Sequence, residues 1–261
     1  MQYDDRVEIA EKRNYKIVKA NEIIQKARYD LNLTELKTLA YILSMVKPTD
    51  KPQTIYAFSI KDYCKTCGIN DTSGNNYEMV KKNLKKLRDT SFFLMQEDGT
   101  ETTIGWLAKA WINPGSGKVK VRFDEDLEQY IIGLVNNYTQ YELLCTLPMR
   151  SQYSYRMYEL LKSYAFTQTH TFQIDELKKL VNAAKYINFK DFRKKVLEIS
   201  IKEINLYTDI DVSYEPIYKG RKVVKVKFLI RTKNHLGRFE SHIRATDTID
   251  GQMSIYNYIE G

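Results

Sequence analysis

The two halves of this chain of 261 residues carry predicted helices and strands in the same order. In the first half, an amphipathic helix over residues 33–46 is followed by the short alternating strand TIYAFSI. A short helix closed by Gly68 comes next, and then a longer basic helix over residues 76–89, with Asn75 as its predicted N-cap and Glu78 at its third position. The strands SFFLMQ and ETTIGWLAKAWI flank the turn EDG and predict a hairpin.

The second half repeats this order. Residues 153–166 carry apolar residues at helical spacing, THTFQI is a short strand, and DELKKLVNA is a short helix. Asn188 is the predicted N-cap of a long basic helix, with Asp191 at its third position. Two strands joined through YKGRK follow, TDIDVSYEPI and VVKVKFLI. From Phe58 to Asn75 is 17 residues and from Phe172 to Asn188 is 16, so the spacing repeats as well.

Helix, short strand, short helix, basic helix and hairpin in this order make a winged helix, which is a helix-turn-helix with an attached β-hairpin. The predicted fold class is therefore α+β, with two winged-helix domains in tandem. We expect an N-terminal extension over residues 1–13, an N-terminal domain over 14–135, a C-terminal domain over 136–233 and an unassigned tail over 234–261. The connecting stretch 124–151 is too apolar to be a flexible linker.

The charge of the chain is unevenly distributed. The formal net charge is +8, of which residues 1–140 contribute +2 and residues 141–261 contribute +6. Between Glu215 and Glu240 there is no acid but eight bases. These are Lys219, Arg221, Lys222, Lys225, Lys227, Arg231, Lys233 and Arg238. A local basic field of this kind favours an anionic partner.

The first basic helix places its apolar and basic residues on opposite sides. Its apolar side holds Tyr77, Val80, Leu84 and Leu87. Its other side holds Lys81, Lys82, Lys85, Lys86 and Arg88, with Glu78 and Asp89 among them. Two interpretations stay open, a solvated surface or a face that contacts DNA, because the second helix of a helix-turn-helix commonly lies in the major groove.

The second basic helix has a wider apolar arc. Its main stripe is Phe189, Phe192, Val196 and Ile199, widened by Leu197, Ile201 and Ile204. Lys194, Lys195 and Lys202 point outward, interleaved with Asp191 and Glu198. Arg193 falls inside the arc, so we expect it to reach solvent only near the N-terminal end of the helix, where recognition helices usually contact bases. The basic hairpin that follows is suited to phosphate contacts.

Three stretches resemble the iteron-binding plasmid replication initiators. FRKKVLEISIKEINLYTDIDVSYEPIYKGRKVVKVKF resembles their C-terminal winged helix, KIVKANEIIQKARYDLNLTELKTLAYILSMVKP the start of their N-terminal one, and YSYRMYELLKSY the first helix of their second domain. The resemblance spans roughly residues 14–232. It implies a protein that binds tandem direct repeats in double-stranded DNA at a plasmid origin, helps to open the duplex, recruits a host initiator and the replicative helicase, and represses its own gene. It also implies a homodimer formed through the N-terminal domain, in balance with a monomer.

The resemblance and the charge pattern together assign the candidate DNA contacts. The C-terminal recognition helix supplies base contacts, and the wing and the N-terminal domain supply phosphate contacts. The candidates are Asn188, Lys190, Arg193, Lys194, Lys195, Lys202, Lys219, Arg221, Lys222, Lys225, Lys81, Lys82, Lys85 and Lys86.

Several kinds of catalytic or metal site lack their residues. A nicking enzyme would need a metal held by closely spaced histidines, and none of His170, His235 and His242 are one residue apart. The motif NPGSGK lacks the first glycine and the Ser/Thr of a phosphate-binding loop, so we interpret it as a β-turn. Cys64 and Cys67 form a lone CxxC pair, which we interpret as small buried residues and not as a zinc site. We therefore expect a binding protein without enzymatic activity, cofactor or metal.

Other features bear on the compartment and on rival functions. Three cysteines, the lack of an apolar signal-peptide core and apolar runs of only about five residues favour a cytoplasmic protein that does not enter a membrane. A double winged-helix transcriptional repressor without origin function remains open, as does a module whose basic faces bind an acidic protein.

Overall fold

The computed structural model describes residues 3–69, 75–95 and 98–251. It divides into two units, Met1–Leu143 and Leu144–Gly261. This division lies later than the predicted boundary between residues 135 and 136. The reason is a strand, Tyr138–Glu142, that pairs antiparallel with Lys16–Ala20 and so belongs to the first unit. No helix of the described ranges is long and apolar enough to cross a membrane.

The first unit contains six helices and seven strands in its described residues. In chain order they are α1 Tyr3–Arg13, β1 Lys16–Ala20, α2 Asn21–Lys26, α3 Leu33–Leu43, β2 Tyr56–Ser59, α4 Ile60–Cys67, α5 Asn76–Asp89, β3 Ser91–Met95, β4 Glu101–Gly105, β5 Leu107–Ile112, β6 Lys118–Phe123, α6 Glu125–Glu128 and β7 Tyr138–Glu142.

Local signals place the helix-turn-helix of the first unit. Helix α3 begins at Asn32, whose side chain accepts hydrogen bonds from the backbone of Thr34 and Glu35 in a capping box. Helix α4 ends at Gly68, which adopts the left-handed conformation as predicted (φ 68°). Helix α5 has the predicted bounds. Its predicted cap is wrong in one respect, because Asn75 has helical backbone angles and makes no capping hydrogen bond through its side chain.

A buried polar network joins the three helices of this motif. The hydroxyl groups of Thr38 on α3 and Tyr63 on α4 lie 2.9 Å apart. Asn83 on α5 donates through its side-chain nitrogen to the Thr38 hydroxyl at 2.9 Å. All three residues are almost fully buried, so these hydrogen bonds satisfy groups that would otherwise be costly to bury. The network therefore orients the lysine-bearing helix α5 on the core.

The predicted strand over residues 101–112 is wrong, because the structure divides it in two at Trp106. Strands β3 and β4 form a separate hairpin, with Ser91 opposite Gly105. The predicted turn 97–99 lies between these strands, and residues 96 and 97 lie outside the described residues. Trp106 is 1% exposed and packs edge-on against Tyr29. Because an indole of this size is buried at the junction, the chain leaves one sheet there and enters another.

The wing of the first unit is therefore β5 and β6, joined by the turn through NPGSGK. The sheet order is β2-β6-β5. In the turn, the Asn113 side chain accepts hydrogen bonds from the backbone of Gly115 and Ser116, and Gly117 has φ 62°. These features confirm that the motif is a turn, although the backbone hydrogen bond from Gly117 to the Asn113 carbonyl oxygen spans one residue more than in a β-turn.

The second unit has fewer strands and ends in a long helix. In chain order its elements are α7 Gln152–Lys162, β8 Thr169–Gln173, α8 Ile174–Leu180, α9 Phe189–Phe192, a π-helical turn Arg193–Leu197, α10 Glu198–Tyr207, β9 Ile210–Lys219, β10 Lys222–Thr232 and α11 His235–Asp250. The continuous segment made by α9, the π-helical turn and α10 is called helix 189–207 below.

The sheet of the second unit has the same order as that of the first. It runs β8-β10-β9, so the short strand β8, which directly precedes α8, lies beside β10, the last strand of the hairpin. Its inner face contributes Phe172, Val226 and Phe228 to the core, all at most 5% exposed. Helix α7 is tied to the turn before β9, because the Tyr158 hydroxyl donates to the Asp209 carboxylate at 2.9 Å. The repeated order in the sequence thus corresponds to a repeated topology.

Most of the tail left unassigned by the sequence is helix α11, which packs on α10. The contact uses small residues, since Ser241 and Ala245 are at most 1% exposed. Lys233 lies beneath it and donates to the carbonyl oxygen of Asn205 on α10 and to the Ser241 hydroxyl on α11. Small contact residues produce no strong apolar periodicity, which explains why no helix was predicted here. Residues 252–261 lie outside the described residues.

Candidate nucleic-acid interface

Helix 189–207 begins where the sequence predicted. The side-chain oxygen of Asn188 accepts a hydrogen bond from the backbone nitrogen of Asp191 at 2.8 Å. Its side-chain nitrogen donates to the Asp191 carboxylate, also at 2.8 Å. The predicted N-cap is confirmed, and both side chains are engaged in holding the first turn of the helix.

The π-helical turn Arg193–Leu197 changes which residues face the core. Phe192, Val196, Leu197 and Ile204 are fully buried as predicted, but Ile199 is 42% exposed. The prediction for Ile199 was wrong, because it assumed a constant 3.6 residues per turn and a π-helical turn inserts extra residues into the helix. The same change frees Arg193, which the sequence placed inside the apolar arc. Its side chain is half exposed.

The bases of helix 189–207 lie on its solvent-facing side. Lys190, Lys194, Lys195 and Lys202 are exposed. Lys195 lies over the ring of Tyr186, with its Nζ 5.8 Å from the centroid. In the described part of the chain, the other three lysines have no carboxylate within 4 Å. Their charges are therefore available to an anionic partner.

The tip of the wing concentrates three positive charges. Lys219 and Lys222 are directly opposite each other across the β9–β10 hairpin. The turn between them contains Gly220, with φ 61°, and the exposed Arg221. Like charges in directly opposed positions destabilise a hairpin, and a phosphate group would relieve that repulsion. Lys225, farther along β10, is half-buried and opposite Ile217.

The acid-free run after Glu215 is not uniformly available to a partner. Arg231 pairs with Asp211 at 3.4 Å on the outside of the sheet. Lys233 is buried beneath α11, and burial lowers its pKa. Arg238 donates to the carbonyl oxygen of Lys233. Within the part of the chain that the structure describes, the bases of this run without such partners are those of the wing tip and the adjacent strand.

Arg193 is held by an acid on its own helix. Its Nε lies 3.3 Å from Oε1 of Glu198, and both side chains are 51% exposed. Tyr214 of β9 lies within electrostatic range of this pair, and partial burial is the main cause of the raised pKa of its hydroxyl. The sequence identified Glu198 as an interleaved acid but gave no partner for it. In a regular α-helix, ion-paired residues are three or four positions apart. Arg193 and Glu198 are five positions apart, so their pairing cannot be predicted from the sequence unless the π-helical turn is already known.

The basic face of α5 in the first unit is partly neutralised. Lys81 lies 3.5 Å from Glu78, and Lys85 pairs with Asp89. The hydrogen bond from Lys85 holds the pKa of Asp89 below its usual value. Lys82 and Lys86 are exposed and have no carboxylate within 4 Å among the described residues. All four predicted lysines thus lie on one solvent-facing side, but only two are unpaired.

Cys64 and Cys67 are buried, as predicted, and Cys145 is buried as well. Burial raises the pKa of the Cys67 thiol to about 12, so it stays protonated at neutral pH and is a poor nucleophile and a poor metal ligand. Within the described ranges, no group of three or more Cys, His, Asp or Glu side chains could hold a metal ion.

Comparison with known proteins identifies both domains. Residues 16–162 match the family model for Initiator Replication protein, WH1, and residues 173–230 match the model for Initiator Rep protein, WH2. The chain is 31% identical over 144 residues to the PI protein of Escherichia coli, and this match covers 48% of the chain and 46% of that relative. It is 22% identical over 216 residues to an uncharacterized 27.6 kDa protein of Escherichia coli, covering 76% of the chain and 88% of the relative.

A solved structure has the same fold. It is the crystal structure of a Pi initiator protein in complex with iteron DNA, with a TM-score of 0.68 and 23% identity, and the match covers 85% of this chain and 99% of that one. The two winged-helix domains predicted from the order of elements are thereby confirmed. Because a family model matches more than half of its residues, the chain belongs to the initiator replication protein family.

Proposed function

We propose that the protein is a plasmid replication initiator that binds tandem direct repeats of double-stranded DNA at an origin. The observation that carries this proposal is the wing tip, where Lys219 and Lys222 are directly opposite each other beside the exposed Arg221. Helix 189–207 of the same unit also exposes lysines that have no carboxylate within 4 Å among the described residues. Such an arrangement is costly alone and favourable on a phosphate backbone. A related Pi initiator was crystallised with iteron DNA, which supports the same ligand for this chain.

The two units have different tasks in this proposal. The start of helix 189–207 enters the major groove, where Arg193, Lys190 and Lys194 approach base edges, while Lys195 and Lys202 face the backbone. The wing, including Lys225, contacts phosphates beside that groove. Helix α5 contacts backbone through Lys82 and Lys86 and, once their partners release them, through Lys81 and Lys85. Asn188 acts by holding the first turn of the recognition helix.

The protein acts without a catalytic step of its own. It works in the cytoplasm, opens the duplex beside the repeats, recruits the host initiator and replicative helicase, and represses its own promoter. These partners and steps follow from the resemblance to iteron-binding initiators. Binding energy gained on several repeats is the source of free energy for opening the duplex.

Footprinting of the purified full-length protein on DNA flanking its own gene tests the proposal. The experiment uses physiological salt and an excess of random competitor DNA, because attraction between basic side chains and DNA phosphates gives any basic protein some affinity for DNA of any sequence. We expect protection of several evenly spaced direct repeats. A single protected inverted repeat at a promoter would instead establish a repressor, and no protection even at low salt would exclude both functions.

The first unit also forms the homodimer in this proposal. Phe93 and Met95 lie on the outward side of β3 and are 56% and 46% exposed, so two large apolar side chains are adjacent at the surface. Contiguous exposed apolar surface favours contact with another protein surface. We expect Phe93→Ser to shift the full-length protein toward monomer in sedimentation experiments. Phe166→Ser is the matched control, since Phe166 is 93% exposed on the second unit. Equal effects of both substitutions would contradict dimerisation through β3.

A further inference from the structure

Glu198 is an acid placed where the proposed interface needs positive charge. It is the first residue of α10 and lies half exposed among Lys194, Lys195 and Lys202. The other acid of this face, Asp191, forms part of the helix cap with Asn188. In the described part of the chain, Glu198 has one ion-pair partner, Arg193. Any effect of Glu198 on neighbouring basic side chains is therefore exerted first on Arg193.

The pair exists because of the π-helical turn. In a regular α-helix, residues five apart differ by about 140° in direction and cannot meet. The π-helical turn begins at Arg193 and ends at Leu197, directly before Glu198, and it brings the two side chains to one face, with Nε and Oε1 3.3 Å apart. π-Helical turns are rare and are found mostly at functional sites. The helix thus departs from regular geometry where its predicted base-contacting arginine lies.

The pair contributes little to folding. Both side chains are 51% exposed, and exposed ion pairs stabilise proteins only weakly. Near DNA, however, the carboxylate affects binding in two ways. It repels phosphate oxygens on every sequence, and it competes with bases for the Arg193 guanidinium. Only a site that satisfies both groups offsets these costs, and a guanine accepts two hydrogen bonds from arginine while the amino group of cytosine donates to a carboxylate.

We propose that Glu198 is a specificity-determining residue, which lowers affinity for random duplex DNA by repelling phosphate and by holding Arg193, and allows tight binding where a G·C-containing site satisfies both side chains. This inference rests on the proposed DNA-binding function. In this inference an acidic side chain contributes to discrimination between DNA sequences, whereas the charge pattern alone attributes that discrimination to basic side chains.

Glu198→Gln in the full-length protein tests the inference, because the amide keeps the shape of the side chain and removes its charge. Dissociation constants are measured for the repeat found by footprinting and for a random duplex of equal length over a series of salt concentrations. We expect affinity for the random duplex to rise about fivefold. Affinity for the repeat should change much less, so the ratio of the two affinities should fall.

Glu125→Gln is the matched control. Glu125 is an exposed acid on α6 in the first unit, and its substitution changes the net charge of the protein by the same amount. If Glu125→Gln lowers the affinity ratio as much as Glu198→Gln, the effect is one of net charge and the inference is wrong. It is equally wrong if Glu198→Gln raises both affinities by the same factor or changes neither.

The failure of this inference differs from failure of the proposed function. If the wild-type protein shows no preference for any repeat, the proposed function is wrong, and there is no ratio of specific to random affinity for Glu198→Gln to change. If the wild-type protein prefers the repeat, the function stands and Glu198→Gln alone decides the inference. A double-mutant cycle with Arg193→Ala adds a second readout, since the two effects on the ratio should be non-additive only if the residues act through each other.

Discussion

Helix α5 and helix 189–207 occupy equivalent places in the two domains but expose charge differently. Each carries five bases, and α5 has two acids against three in helix 189–207. By count, α5 is therefore the more basic helix. In α5, however, both acids pair with bases of the same helix. In helix 189–207, Asp191 is engaged in the cap and Glu203 accepts a backbone hydrogen bond from Arg150. Among the described residues, Glu198 is therefore the one acid of this helix that pairs with a base.

The wings differ in the same way. The turn of the first wing, Asn113 to Gly117, contains no charged residue, whereas the second wing has two opposed lysines and an arginine at its tip. Repulsion at that tip opposes folding of the free protein and is relieved by an anion. The comparison shows that the partners of charged residues, more than their number, distinguish a surface stabilised by internal ion pairs from one that favours an external anion.

The largest effect is expected from removing the wing charges. In the triple variant Lys219→Ala, Arg221→Ala and Lys222→Ala, the slope of log affinity against log salt should fall by about three, roughly one for each lost phosphate contact. The matched variant Lys81→Ala, Lys85→Ala and Lys86→Ala should lower the slope by about one, because two of these lysines are already paired. Fluorescence anisotropy over a salt series measures both slopes. If both variants lower the salt slope by the same amount, the wing of the second domain and helix α5 of the first contribute equally to phosphate binding, and the proposed difference between the domains is wrong.

The next effect concerns sequence preference. Arg193→Ala should lose about 1–3 kcal/mol of discrimination between the repeat and random DNA, because arginine can form two hydrogen bonds to guanine. Lys222→Ala should weaken binding to all sequences and lower the salt slope by about one. Competition binding with both duplexes separates the two outcomes. If the two variants change specific and random binding in the same proportion, helix 189–207 and the wing do not divide the work in this way.

A smaller effect is expected on the stability of the second unit. Lys233→Met leaves the buried acceptors on Asn205 and Ser241 without their donor and should lower the free energy of unfolding by about 1–3 kcal/mol. The matched control is Arg231→Met, because Lys233 and Arg231 both pair with Asp211, at 3.6 Å and 3.4 Å. The Arg231 side chain is 83% exposed, so its loss should cost less than about 1 kcal/mol. Hydrogen exchange of the α10 and α11 amides measures both. Similar costs would mean that α11 is not held on α10 through Lys233.

The smallest expected effect is a difference between the two units in how their stability depends on pH. Burial holds the pKa of His170 below 6.5, and its ring stacks on Tyr164 with centroids 3.6 Å apart. The unfolded chain binds a proton near pH 6.5 and the folded chain does so only at lower pH, so the second unit should lose stability as the pH falls below about 6.5. The first unit contains no histidine.

Hydrogen exchange of β8 and β10 amides, compared with β2 and β6 amides, measures this difference between pH 7 and pH 5.5. Intrinsic exchange rates are corrected for pH. His170→Gln should make the response of β8 and β10 resemble that of β2 and β6. An equal loss of protection in both sheets of the wild-type protein would contradict a role for His170.

The sequence alone determined the elements whose signals are local. The Asn188 cap, the Gly68 stop, the bounds of α5 and the second hairpin each depend on a few neighbouring residues. The resemblance to the initiator family could be recognised from the sequence for a related reason, because it depends on the order and spacing of these elements along the chain. The lysines of the two basic helices lie at the surface as predicted, because apolar periodicity already assigns the opposite face of each helix to the core. Lys233 of the basic run after Glu215 is buried instead.

Only the tertiary structure decided features that depend on distant partners. The division of residues 101–112 requires Trp106 to be buried against Tyr29, and helix α11 is held through small residues and Lys233 on α10. The π-helical turn moved Ile199 outward and joined Arg193 to Glu198. The sequence shows charge and periodicity, but which charges are neutralised depends on atomic distances that packing sets.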